Sequence, residues 1–208
     1  MEYDNFLLFA SASLLLNVTP GNDMLYVASR STGQGSKVGI ISALGIAAGC
    51  IVHLAAAVIG LSALIAQSAF AFNIIKYVGA AYLIYLGIKA FFSKANSFNV
   101  KPHGKAYSYR KIFLQGALTN VLNPKVALFF LAFLPQFIDL SNPLPQLQIL
   151  TLGAWFNFSG TVVNVLVALL FGRLGNWFNN SAVMKWQQKI TGTVLIALGI
   201  KVAFTSRN

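Results

Sequence analysis

The stretch Leu83-Ile84-Tyr85-Leu86-Gly87-Ile88-Lys89-Ala90-Phe91-Phe92 is nearly repeated by Leu195-Ile196-Ala197-Leu198-Gly199-Ile200-Lys201-Val202-Ala203-Phe204, and both copies lie inside strongly apolar segments. The chain reads as a duplication. Upstream of each copy stands a second matched feature, a proline inside an apolar run. These are Pro20 in Asn17-Val18-Thr19-Pro20-Gly21-Asn22-Asp23 and Pro124 in Asn120-Val121-Leu122-Asn123-Pro124-Lys125. A hydrophobic unit repeated with an interrupted helix at the same place in each half is the pattern of secondary transporters, whose binding sites lie at the interruptions.

Composition sets the solvent. Of the 208 residues, 57% are hydrophobic and 9% charged, against roughly 25% charged in soluble domains, so the partner is the lipid bilayer. The net charge of +11 would suit nucleic acid if the basic residues shared a soluble face. They fall instead between apolar runs, which excludes that partner in favour of membrane topology. Cys50 is the single cysteine, so no intrachain disulfide forms. Glu2 and Asp4 stand where a signal peptide would be positive, and the first segment is expected to be retained.

Six long apolar runs, at about 6–27, 38–66, 70–92, 112–138, 147–171 and 186–204, are each near or above the ~20 residues that cross ~30 Å of hydrocarbon. The expected fold is all-α, a polytopic membrane protein of six transmembrane helices in one membrane domain. Repeat 1 covers about 1–92, a cytoplasmic linker about 93–111 and repeat 2 about 112–208. Basic residues set the orientation. Arg30 and Lys37, then Lys89, Lys94, Lys101, Lys105, Arg110 and Lys111, then Arg173, Lys185 and Lys189 fall on one side, and only Lys201 and Arg207 on the other. The positive-inside rule then puts both termini on the periplasmic side of a bacterial inner membrane. Three helices per repeat is an odd number, so the repeats are inverted. Trp177 and Trp186 flank the fifth connection as interfacial anchors.

The breaks carry the chemistry. Proline removes a helical hydrogen bond and glycine relaxes the backbone, so Pro20-Gly21 and Asn123-Pro124 free polar groups at membrane depth. These must be satisfied within protein or a water-filled cavity. Helix N-termini there favour a carboxylate and exposed carbonyls an ammonium, which suits a zwitterion. An ordinary proline kink is the competing reading, and two kinks at matched positions weigh against it. Asp23, the one acid expected within a span, is a candidate for coupling or for holding an ammonium, and an ion pair with Lys125 is a further expectation. Against these stand a hydrated helix end for Asp23 and a snorkelling Lys125. His53, midway along the second run, is either a proton carrier or a packed histidine bonded to a neighbouring helix. Asn157 and Asn164 line a cavity or glue helices together, and Gly45 and Gly49 make a small-residue face for close helix contact. Gly33-Gln34-Gly35-Ser36-Lys37 lacks the spacing and strand of a phosphate loop. No metal spacing or catalytic cluster occurs, so neither cofactor nor enzyme activity is expected.

The run Pro20-Gly21-Asn22-Asp23-Met24, with Gly45, His53 and the Gly79-to-Lys89 segment, followed by Leu118-Thr119-Asn120-Val121-Leu122-Asn123-Pro124-Lys125 and onward to Phe137, resembles the LysE/RhtB family of amino-acid exporters. The likeness spans almost the whole chain, and the Asn-Pro-Lys stretch is its specific part. Where that family usually has a second proline after the Pro-Gly pair, this chain has Asn22. The resemblance implies export of small amino acids from the cytoplasm, with protons as the exchanged ion. Neutral cargo such as leucine, threonine or homoserine is favoured, because a cationic side chain would want a second counter-ion. The candidate site residues, read from the breaks and the polar groups near them, are Pro20, Gly21, Asn22, Asp23, Asn120, Asn123, Pro124, Lys125 and His53. A membrane-embedded enzyme acting on lipid or a redox carrier and a passive channel are the alternatives, and homo-oligomer formation is left open.

Overall fold

The computed structural model describes residues 3–67, 69–92, 108–139, 142–174 and 181–204. These form helices α1 (Tyr3–Val18), α2 (Asn22–Gln34), α3 (Ser36–Gln67), α4 (Ala69–Phe92), α5 (Tyr109–Val121), α6 (Pro124–Leu128), α7 (Pro145–Leu174) and α8 (Ser181–Phe204), with no strand among the described residues. Most of the expected linker, 93–107, lies outside them, as does Trp177; Trp186 is exposed.

Each apolar run of the sequence becomes helix, but not always one helix. The first is split at Pro20-Gly21 into α1 and α2. The fourth is split at Leu122-Asn123 into α5 and α6, and the chain bends by 47° there. Beyond α6 it widens into a π-helical turn, Phe129–Phe133, and tightens into a 3-10 turn, Leu134–Phe137. Pro135 has no N–H to return to Leu131, and the Leu134 N–H reaches back to the Phe129 carbonyl instead. By length and composition α3 (over Ser36–Gly60) and α7 (over Pro145–Arg173) can cross a bilayer, and the bent α5–α6 segment makes a third span if counted as one. The apolar stretches Asn5–Val18 and Tyr77–Lys89 are shorter than a full crossing. Among the described residues two to three clear spans are therefore found, where six were expected.

Glycine sets how closely the helices cross. A Cβ on Gly116 of α5 would lie 2.7 Å from the Ser42 carbonyl oxygen of α3, and Gly45 and Gly49 press on the Phe113 and Ala117 carbonyls in return. The expected small-residue face is thus the α3–α5 contact. Helices α4 and α8 pack antiparallel through the repeated segments themselves. A Cβ on Gly87 would meet the Gly192 carbonyl and the Ile196 side chain, each at 2.7 Å; one on its counterpart Gly199 would meet the Ala80 carbonyl at 2.8 Å and Ile84 at 2.7 Å. Hydroxyls along the apolar helices are satisfied within their own helix, as when Ser13, Ser31 and Thr161 donate to the carbonyls of Phe9, Val27 and Asn157. The core is aromatic: Phe129 stacks on Phe156 at 4.2 Å between ring centres, and Phe9 and Phe133 close around it.

The connection from α2 to α3 corrects one expectation. It is a tight turn at Gly35, whose φ of +87° favours glycine, and this accounts for the phosphate-loop look-alike. Arg30, expected in that connection as a topology charge, is instead 2% exposed on the inner face of α2. Its guanidinium donates to Gln115 Oε1 at 2.7 Å and lies over the Tyr26 ring.

Candidate functional site where the two broken helices meet

Helix α1 ends because Pro20 offers no N–H to the Leu16 carbonyl four residues back. The last turn tightens, and the Thr19 N–H is shared between the Leu15 and Leu16 carbonyls. Gly21 is extended, and α2 starts after it with no side-chain cap on its first amides. The second break is built differently. Asn123 caps α6 by accepting the Lys125 N–H on Oδ1 at 3.0 Å, and Pro124 takes the first helical position, where its missing N–H costs nothing.

Lys125 joins the two breaks. Its Nζ donates to the Leu16 carbonyl at 3.2 Å and the Thr19 carbonyl at 3.0 Å. The group freed by a proline in the first half is satisfied by a lysine that a proline in the second half positions. Gly21 leaves the room, because a Cβ there would stand 3.2 Å from Nζ.

Asp23 sits one step into α2 and is buried, where its charge complements the positive helix start. Its Oδ2 accepts from Asn120 Nδ2 at 2.8 Å, and the Asn120 carbonyl lies 3.0 Å from His53 Nε2, which donates in the tautomer protonated there. One chain of polar contacts thus runs His53–Asn120–Asp23 across α3, α5 and α2. His53 also stacks on Phe130. Asp23 Oδ1 and Asn120 Oδ1 are buried acceptors without a protein donor. The Lys125 ammonium holds α1 carbonyls and the Asp23 carboxylate holds Asn120, while both side chains border the smaller cavity.

Two cavities flank this junction. The smaller offers about 30 Å³ to the centres of water molecules and is lined by Asp23, Asn120 and Lys125 with Asn17, Asn157, Thr161 and Asn164. That holds water, not an amino acid. The larger, about 280 Å³, is lined by Thr19, Pro20, Gly21, Asn22, Asn123, Pro124 and Lys125, closed by Tyr82, Leu86 and Lys89 of α4 and Leu195 of α8. This is close to the lower end, about 300 Å³, of small-ligand pockets. Of the residues expected from the sequence, five line the larger cavity, Asp23 and Asn120 line the smaller, Lys125 borders both, and His53 reaches the site through Asn120.

Sequence reading overlooked Asn17, which ties the end of α1 to α7 by donating to the Phe156 carbonyl at 3.1 Å and Ser159 Oγ at 3.0 Å. A polar residue three before Pro20, inside an apolar run, was the available signal. Lys89 carried none, since a lysine in the last turn of a helix reads as a topology charge, and the structure adds a place at the cavity to that reading.

An uncharacterized membrane protein of Bacillus subtilis is 34% identical over 210 residues, covering 97% of this chain and 99% of that protein. A homoserine/homoserine lactone efflux protein of Salmonella typhimurium is 30% identical over 204 residues, covering 98% of each. An uncharacterized membrane protein of Vibrio cholerae is 27% identical over 210 residues. No solved structure matches. The family model described as LysE type translocator matches residues 14–206, nearly the whole chain including both breaks: this protein belongs to the LysE type translocator family.

Proposed function

We propose that this chain is a secondary transporter that exports small amino acids from the bacterial cytoplasm, with the substrate at the cavity between the two broken helices. The observation that carries the reading is the meeting of both breaks at one cavity, with Lys125 of the second break bonded to carbonyls freed at the first. Irregular backbone at membrane depth is tolerated where it lines such a cavity. The ammonium groups of Lys89 and Lys125 on the cavity wall suit a carboxylate, and the α1 carbonyls suit an ammonium. Relatives named for homoserine and homoserine lactone efflux support a small, neutral cargo.

Asp23, a buried acid at membrane depth, carries the coupling or else holds the substrate ammonium. Proton exchange and a six-span fold of two inverted repeats, 1–92 and 112–208, belong to the same reading. The antiparallel packing of α4 on α8 through equivalent glycines supports the inversion. Both termini then face the periplasm. The test is a panel of labelled amino acids loaded into vesicles containing the purified protein, with efflux followed with and without a proton gradient. Uphill, gradient-dependent efflux of homoserine, threonine or leucine is expected. Efflux that only ever runs downhill would mean a channel, and no efflux of any amino acid sinks the reading.

A further inference from the structure

The carbonyls at the end of α1 form a site for a primary ammonium, and the protein fills it with its own. Lys125 Nζ is bonded to Leu16 O and Thr19 O, while no carboxylate oxygen is hydrogen-bonded to it: Asp23 Oδ2 accepts from Asn120, and Asp23 Oδ1 has no hydrogen-bond partner. Cations at membrane depth pair with one another's counter-charges or with backbone carbonyls. Here the negative end of a broken helix supplies the direct contacts, and the Asp23 carboxylate borders the same small cavity as Lys125. Gly21 keeps the space above it open.

Three features make this a place of exchange as well as a cap. Thr19, Pro20, Gly21 and Lys125 all border the 280 Å³ cavity, so the Thr19 side of the site adjoins it. The carbonyls belong to the first half of the chain and the lysine to the second, so motion between the halves pulls the two apart. Lysine is a compact cation on a flexible four-carbon stem and can withdraw without unfolding its helix.

We infer that Leu16 O and Thr19 O are an ammonium-exchange site, occupied by Lys125 when the transporter is empty and taken by the α-ammonium of the cargo when it is loaded. The cargo's identity rests on the transport reading above; the site itself does not. Lys125, once displaced, stands beside Lys89 at the cavity, where the cargo's carboxylate receives it. A zwitterion adds no net charge, so the exchange leaves the charge of the site unchanged.

The test is chemical rescue of the purified, detergent-solubilised full chain, read as melting temperature. Ethylammonium chloride is expected to stabilise Lys125→Ala saturably, at concentrations about tenfold or more below those affecting the wild type, whose site is already filled. Ethanol and tetramethylammonium, which lack either the charge or the N–H donors, should do nothing. Equal responses of variant and wild type, or equal effects of tetramethylammonium, overturn the inference. If Lys125→Ala is not recovered folded, Lys125→Cys in a Cys50→Ser background can be treated in the membrane before extraction. Bromoethylamine, which restores an ammonium, should recover monodisperse protein where neutral iodoacetamide does not; no recovery, or equal recovery, again overturns it. The readout requires no transport, so a wild type that exports no amino acid would sink the transport reading and leave this result standing.

Discussion

At the residue scale, Asp23 is the group whose change separates roles. Asp23→Asn is nearly isosteric. Its new amide can donate to Asn120 Oδ1, which has no donor in the wild type, so the fold should be kept. Uphill efflux is expected to fall by about tenfold or more, equivalent to ~1.4 kcal/mol, in reconstituted vesicles. Retained substrate exchange without uphill efflux would identify Asp23 as the coupling residue, whereas loss of substrate binding would identify it as the ammonium partner. Wild-type rate and pH optimum would remove both roles. Asp23 stood out in the sequence because an acid inside an apolar run is costly. Its partner did not, because Asn120 and Asn123 are equally polar and only the packing of α5 against α2 and α3 decides that Asn120 reaches the carboxylate.

At the scale of elements, a close helix crossing such as α4 on α8 is sensitive to added volume. Gly87→Ala would drive a Cβ into the Gly192 carbonyl and the Ile196 backbone N of α8, at 2.7 and 2.8 Å. Such overpacking costs about 1–3 kcal/mol, which outweighs the ~1 kcal/mol of helix propensity that alanine returns. Gly60→Ala, with nothing within 4 Å, should gain that propensity freely, so the two variants should shift the melting temperature in opposite directions. A fall for both would mean that glycine is not what sets the α4–α8 approach. The breaks themselves are tested by accessibility. Cysteines at Asn22 and Asn123, in a protein without Cys50, should react with small polar thiol reagents and be protected by transported substrate. Inaccessibility at both positions in a transport-active protein would return the breaks to plain kinks. Asn123→Cys also gives up a helix cap worth about 1 kcal/mol, so its stability should be measured alongside. Both breaks were legible from proline and glycine, whereas the π-helical turn at Phe129–Phe133 was not, since an apolar run reads the same whether its hydrogen bonds skip four residues or five.

For the whole molecule, the orientation rests on the distribution of basic residues. Arg30 is buried against Gln115 and Tyr26, and Lys89 lines the larger cavity, yet removing both leaves the bias pointing the same way. Reporter fusions after Lys105 and after Asn208 are expected on opposite sides of the membrane; the same side for both would break the six-span inverted arrangement. The sequence by itself determined the helical membrane class, the near-repeated segments and the position of both interruptions. Hydrophobicity, repetition and the missing proline N–H are properties of the chain that no neighbour can alter. Only the tertiary structure decided which side chain meets which freed group: Lys125 on the Leu16 and Thr19 carbonyls instead of Asp23, Asn120 on Asp23, and Asn17 on α7. Those partners lie 97 to 142 positions apart. Their meeting depends on how helices rotate and approach across glycine contacts, which no local pattern of residues encodes.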